Sequence, residues 1–134
     1  MPKQIIRMSG NSPGPKDMIR PFSAAVRAGD FIFVSGFHGG GTNPQTGEKY
    51  DTIESQTRQC LEKIKRALEA AGASLEDVVK STVFIDSGEH FAGMNEVYQE
   101  YFPDEPPARS AVVTQFVRPG MLIQIDCVAY HPVK

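Results

Sequence analysis

Two spacings of apolar residues alternate along this chain. Between residues 52 and 71, Ile53, Thr57, Cys60, Leu61, Ile64, Leu68 and Ala71 recur at three- and four-residue steps, which predicts one helix with a single buried face. Gly72 follows the run as a residue that closes a helix. Phe91, Met94, Val97, Tyr98 and Phe102 form a second helical stripe and predict a helix over 89–102. Elsewhere, short runs rich in β-branched and aromatic residues predict strands over 4–8, 23–27, 30–35, 78–85, 108–116 and 121–130. Ala28-Gly29 joins two of these as a hairpin, and Arg118-Pro119-Gly120 has the residues of a tight turn. The segments 11–16 and 36–47 carry the glycine and proline content of loops. The order βββαβαββ predicts an α+β fold, with two helices on one face of a mixed six-stranded sheet.

Two helices cover one face of such a sheet, yet residues 31–34 and 78–85 carry apolar groups for both faces. With no residues left for a third layer, the other face is expected to meet further copies of the chain in a closed homo-oligomer, with pockets at the seams. A length of 134 residues with 40% hydrophobic content suits a single domain over 1–134. No apolar run is long enough to cross a bilayer, and Met1-Pro2-Lys3-Gln4 lacks the plan of a secretory signal, so a cytoplasmic protein is expected. Cys60 lies on an apolar helix face and Cys127 in an apolar strand, so both read as small core residues rather than a disulfide. No CxxC pair exists, and no metal site is expected. The formal charge of −2 and the scattered basic residues argue against nucleic acid as partner. Lys63, Lys65 and Arg66 interleave with Glu62 and Glu69 as a solvated helix face would.

The chemistry starts at Arg109. In Pro106-Pro107-Ala108-Arg109-Ser110-Ala111-Val112-Val113, two prolines deliver a permanent cation onto the first residues of an apolar strand. Its planar fork can hold a small carboxylate by two parallel hydrogen bonds. An arginine that only caps a strand or pairs with a surface acid is the competing reading.

Pro21-Phe22, Val34-Ser35-Gly36, Asn43-Pro44-x-Thr46-Gly47, the helix end Ala70-Ala71-Gly72, Val83-Phe84, Asn95-x-x-Tyr98, Phe102, Pro107-Ala108-Arg109-Ser110 and the last strand through Ala129 together resemble the reactive-intermediate deaminase (RidA, YjgF-like) family. The resemblance implies a chorismate-mutase-like fold and a homotrimer with ligand sites between subunits. It also implies cofactor-independent hydrolysis of a carboxylate-bearing enamine or imine to a keto acid and ammonia. Arg109 would grip the carboxylate, and backbone groups near Ala111 would fix the imine nitrogen. Phe22, Ser35, Gly36 and Asn95 would also line the ligand site, with Phe22 standing where a tyrosine is usual. A branch acting on 2-aminomuconate-like compounds is one home for such altered pocket residues.

The departure that matters is Gln124, which stands where hydrolytic members carry a glutamate that orients water. An amide cannot accept a proton as a carboxylate does, and general acid–base help is typically worth about 10²–10⁴-fold. Asp126 shares the strand face of Gln124 about 7 Å along, as a distant substitute or as a partner for a neighbouring cation or hydroxyl. His38, in the glycine-rich segment, titrates near neutrality and is the other catalytic candidate. Tyr98 and Phe91 read as core, and His90 and His131 as surface residues. Three functions remain open at this point. They are a deaminase, a carboxylate-binding sensor that has lost turnover, and the ribonuclease, translation-inhibitor or chaperone activity that the resemblance also brings in.

Overall fold

The computed structural model describes residues 2–8 and 21–133, so the loop expected over 11–16 lies outside the described residues. The chain forms strands β1 (Gln4–Ile6), β2 (Ala25–Ala28) and β3 (Phe31–His38), then helix α1 (Ile53–Ala70). Strand β4 (Val78–Ile85), helix α2 (Phe91–Tyr101), β5 (Ala108–Val113) and β6 (Ile123–Tyr130) follow. The strands make one mixed sheet in the order β1-β2-β3-β6-β4-β5, in which only β4 and β5 run parallel.

Local chemistry accounts for most boundaries. Thr52 caps α1 by accepting the Ser55 N–H at 3.0 Å, while the Ser55 hydroxyl accepts from the Thr52 N–H at 3.2 Å. The helix ends before Gly72, which takes φ +83°. Helix α2 starts at Phe91 rather than 89, because Gly88–His90 is a separate 3-10 turn whose Glu89 N–H is taken by the Ser87 hydroxyl. Strand β5 ends at Val113, short of the predicted 116, since its one neighbour, β4, ends at Ile85.

The apolar faces of α1 and α2 close on the sheet face that carries Ile32, Val34, Val83, Ile85, Ile123 and Ile125. Gly93 allows the two helices to touch, because a Cβ there would lie 2.8 Å from Ile53 Cγ2. On the opposite face Phe31 and Phe33 are 42% and 49% exposed, and the Phe31 ring meets Tyr130 edge-on at 5.3 Å. That face has no cover within the described residues of the chain.

The main correction to the sequence reading lies in β3, where residues 36–38 are strand and not loop. Val34 pairs with Cys127 and Phe37 with Ile125, so Ser35 and Gly36 together oppose Asp126 as a bulge. Beyond it the ladder resumes, and His38 pairs with Gln124. Glycine reads locally as a loop signal, but the long-range ladder to β6 and the Cys60 thiol donating to the Phe37 carbonyl at 2.8 Å hold the segment extended.

A buried amide fixes the chain just beyond this point. Gln56 Nε2 donates to the carbonyls of Tyr50 and Gly120 at 2.8 and 2.9 Å, and Gln56 Oε1 accepts the Leu122 N–H at 2.9 Å. Replacing Gln56 with leucine removes three hydrogen bonds and strands three backbone groups. We expect a loss of about 2–4 kcal/mol, read from the urea midpoint, against about nothing for the exposed Gln99→Leu.

Candidate functional site

Arg109 lies on β5, and its register partner on β4 is the buried Ser81. Paired residues share a sheet face, so the arginine side chain points to the helix side, where α2 receives it. Arg109 Nη1 donates to Asn95 Oδ1 at 2.7 Å and lies 3.9 Å from Met94 Sδ. Its guanidinium sits 4.8 Å from the Tyr98 ring centre and 5.7 Å from that of Phe91. Tyr98 is itself anchored by a 2.6 Å hydrogen bond to the Ser81 hydroxyl. Burial pushes the Tyr98 phenol above its ordinary range, against the opposing pull of Ser81 and Arg109.

Two aromatic faces and one amide oxygen thus orient the fork without neutralising it. Among the described residues no carboxylate pairs with Arg109. The half-buried guanidinium lines an open cleft with Asn95, Tyr98, Phe102, Pro106 and Pro107. Asn95, expected at the ligand, lines the cleft and also positions the arginine. Phe91 corrects the sequence reading, being 43% exposed and flanking the cation rather than filling the core. Its spacing to Asn95 and Tyr98, four and seven residues on, was the available signal, since it puts a polar acceptor between two aromatics on one helix face.

The edge position of β5 frees backbone groups beside the cation. The Thr114 N–H donates to the Ile85 carbonyl at 2.9 Å, toward β4. Alternation then turns the N–H and C=O of Arg109, Ala111 and Val113 the other way, off the sheet edge that no other described strand covers. Ala111 therefore offers a donor and an acceptor two residues from the guanidinium, whatever its side chain.

Gln124 stands elsewhere. Cys127, Ser81 and Arg109 lie in one cross-strand row, and Gln124 is three positions from Cys127, which places it on the opposite, open face. Its cross-strand partners are Phe84 and His38, and its amide lies against Gly36, where a Cβ would collide with Nε2. One chain therefore brings Arg109, Asn95 and Ala111 together on one side of the sheet, and Gln124, Gly36 and His38 on the other. Ser35, within the same bulge, donates its hydroxyl to the Ser23 carbonyl, and Phe22 is 60% exposed nearby in sequence.

The titratable candidates differ in their surroundings. His38 Nδ1 accepts the Gly40 N–H at 3.3 Å, so the neutral ring carries its proton on Nε2. Burial lowers the His38 pKa, and the charges of Lys63 and Arg118 lower it further. Folding thus disfavours the imidazolium, and His38 supports stability above its unfolded pKa near 6.5 that drains away as the pH falls through the lower folded value. His38→Gln should flatten the decline in urea midpoint between pH 7.5 and 5. Burial raises the pKa of Asp126, with Lys80 opposing. Lys80 itself donates to the Ser110 hydroxyl at 2.9 Å, and Asp126 sits across from Thr82, the surroundings expected of a strand carboxylate among neighbouring polar groups.

Other predicted surface or core residues fall as follows. His90 and His131 are half-buried and bonded to Asp86 and Asp77 at 2.6 and 3.1 Å. Cys60 and Cys127 are free and buried, and burial pushes both thiols up to about 12. They are inert at neutral pH. No helix among the described residues is long and apolar enough to cross a membrane.

Comparison with known proteins places this geometry. A RutC family protein of Pyrococcus horikoshii is 47% identical over 130 residues, covering 96% of this chain and 98% of its own. The 3-aminoacrylate deaminase RutC of Acinetobacter baylyi is 38% identical over 130 residues, covering 97% of this chain and 99% of its own. Among solved structures, a putative endoribonuclease of Thermotoga maritima superposes with a TM-score of 0.76 at 44% identity, over 86% of this chain and 90% of that one. Enamine deamination is thus an activity found among these relatives. The family described as Endoribonuclease L-PSP matches residues 12–131, and with these relatives at these identities the chain belongs to that family, the YjgF/RidA family.

Proposed function

We propose that this protein hydrolyses small carboxylate-bearing enamines, through their imine tautomers, to a keto acid and ammonia without a cofactor. The observation that carries the reading is Arg109, oriented by Asn95 and two aromatic rings, unpaired with any acid among the described residues, and next to the outward N–H of Ala111. A small organic acid is the ligand that such a fork fits. The name of the Acinetobacter baylyi relative, 3-aminoacrylate deaminase, supports a substrate of this kind.

The site is completed between copies in a homotrimer. Arg109 and Gln124 occupy opposite faces of one sheet, so the β5 edge of one subunit has to meet the open face of the next for both to touch one ligand. The exposed Phe31, Phe33 and Tyr130 on that open face supply the apolar area for such contact. Light scattering of the purified protein reads the assembly.

In the reaction, Arg109 binds the carboxylate and the backbone at Ala111 holds the imine nitrogen, which fixes the C=N bond in one orientation. A water placed by the Gln124 amide adds its oxygen to the imine carbon. The C–N bond then breaks, both water protons end on nitrogen, and ammonia leaves a keto acid behind. Imines are electrophilic, so orientation supplies much of the rate.

Gln124 favours a second reading, a binder without turnover, because an amide cannot act as a base. Generating 2-iminopropanoate in situ and following pyruvate release separates the two. Acceleration over buffer supports the deaminase, whereas tight pyruvate binding with no acceleration replaces it with the binder. The formal charge of −2 and the scattered basic residues argue against RNA as ligand.

A further inference from the structure

A second group of cations gathers around His38, the cross-strand partner of Gln124, and neither the fold nor the proposed reaction uses it. His38, Lys49 and Arg118 line an open cleft with the backbone of Gly40, Gly41 and Gly120. Among the described residues Lys49 and Arg118 form no ion pair, and Asp51 is the one carboxylate in the lining. Lys63 stands behind, with its ammonium donating to the His38 carbonyl at 2.8 Å. The His38 Nδ1 is engaged by Gly40, which leaves Nε2–H as a further donor. The cleft is therefore a cationic concavity rich in donors, and it carries one more positive than negative lining residue at neutral pH.

Its place in the ladder ties it to the reaction. His38 and Gln124 are directly paired on β3 and β6, and such neighbours have Cβ atoms about 5 Å apart. Gln56 fixes both the approach to the cleft, at Tyr50, and its far wall, at Gly120. A ligand with one end over Gln124 has its other end within a side chain's length of this cleft.

We propose that the cleft binds a second carboxylate, so that the substrates are enamines or imines of dicarboxylic acids. This rests on the deaminase reading above: Arg109 takes the carboxylate beside the reacting carbon, and Arg118, with Lys49 and His38 Nε2–H, takes the distal one. A cation exposed in a preformed cleft selects by charge, because a methyl group in its place leaves the guanidinium without a partner.

Two measurements on the assembled protein test this. The first compares kcat/KM for iminosuccinate with that for 2-iminopropanoate, both generated in situ, in the wild type and in Arg118→Gln. The second compares calorimetric binding of 2-oxoglutarate and 2-oxobutanoate. We expect at least tenfold preference for the diacid in both, and at least a fivefold fall of that preference in Arg118→Gln and in Lys49→Gln. Equal handling of mono- and diacids, or a preference that Arg118→Gln does not change, overturns the second-carboxylate site while leaving deamination standing. If neither imine is hydrolysed faster than in buffer but 2-oxoglutarate binding still depends on Arg118, the deaminase reading falls and the cleft assignment holds. Arg118 lies in an exposed turn, so its replacement leaves the core intact, and an unchanged urea midpoint checks this.

Discussion

Arg109→Ala lowers kcat/KM for imine hydrolysis by about 10²–10⁴. A bidentate grip on a carboxylate makes two charge-assisted hydrogen bonds of roughly 1.5–3 kcal/mol each, and the loss of both spans that range. The effect falls on kcat as well as KM, because the arginine also fixes the orientation of the C=N bond. Arg109→Lys keeps the charge and loses the fork, so it recovers only part of the rate. Two features keep the variants folded: β5 is an edge strand, and the guanidinium pairs with no acid among the described residues. Single-turnover kinetics with circular dichroism of each variant gives the measurement, and activity unchanged in Arg109→Ala ends the proposal for this site.

Gln124→Glu raises imine hydrolysis at least tenfold. The amide can hold a water but cannot take its proton, and restoring a carboxylate reinstates general-base help typically worth about 10²–10⁴. The side chain lies against Gly36, and glutamate has nearly the same volume, so the substitution fits the space already made by the glycine. Asp126, two residues on and on the same face, is a second negative charge, which raises the pKa of the new carboxylate. The gain therefore sets in at higher pH than for an isolated glutamate, and a pH–rate profile shows it. No change in rate means that position 124 does not face the reacting carbon.

The parts of this structure set by short-range chemistry were legible in the sequence. Helix α1 was expected over 52–71 and spans Ile53–Ala70, because its apolar period, Thr52 cap and Gly72 stop all act within a few residues. Strand β4 matches its expected bounds for the same reason, as a short run rich in β-branched residues. Arg109 stood out through the two prolines before it, and the structure gives it a cleft and no acid partner among the described residues. What the sequence withheld depends on register. Whether Arg109 and Gln124 share a face is decided by pairings among β4, β5 and β6, which join residues far apart in the chain. The bulge at Ser35 and Gly36 likewise exists only because β6 lies alongside, so residues 36–38 looked like a loop. Phe91 misled because a helical period identifies one helix face but not what meets it, and here a cation meets the ring. Arg118 stands in a turn pattern in the sequence, and the cleft it lines draws on three separate segments, 38–42, 49–51 and 118–121.

The outer edge of β5, which no other described strand pairs, bears on how the protein is made and stored. Its outward amides run beside Val112 and Val113, which are 44% and 59% exposed. Such a row is a template that any extended chain can lengthen, its own kind included. In the homotrimer proposed above, a newly synthesised protomer is at greatest risk of ordered aggregation before its neighbours arrive, and a substitution that slows that association is expected to do its harm as fibrils or inclusion bodies rather than as a stable, inactive monomer.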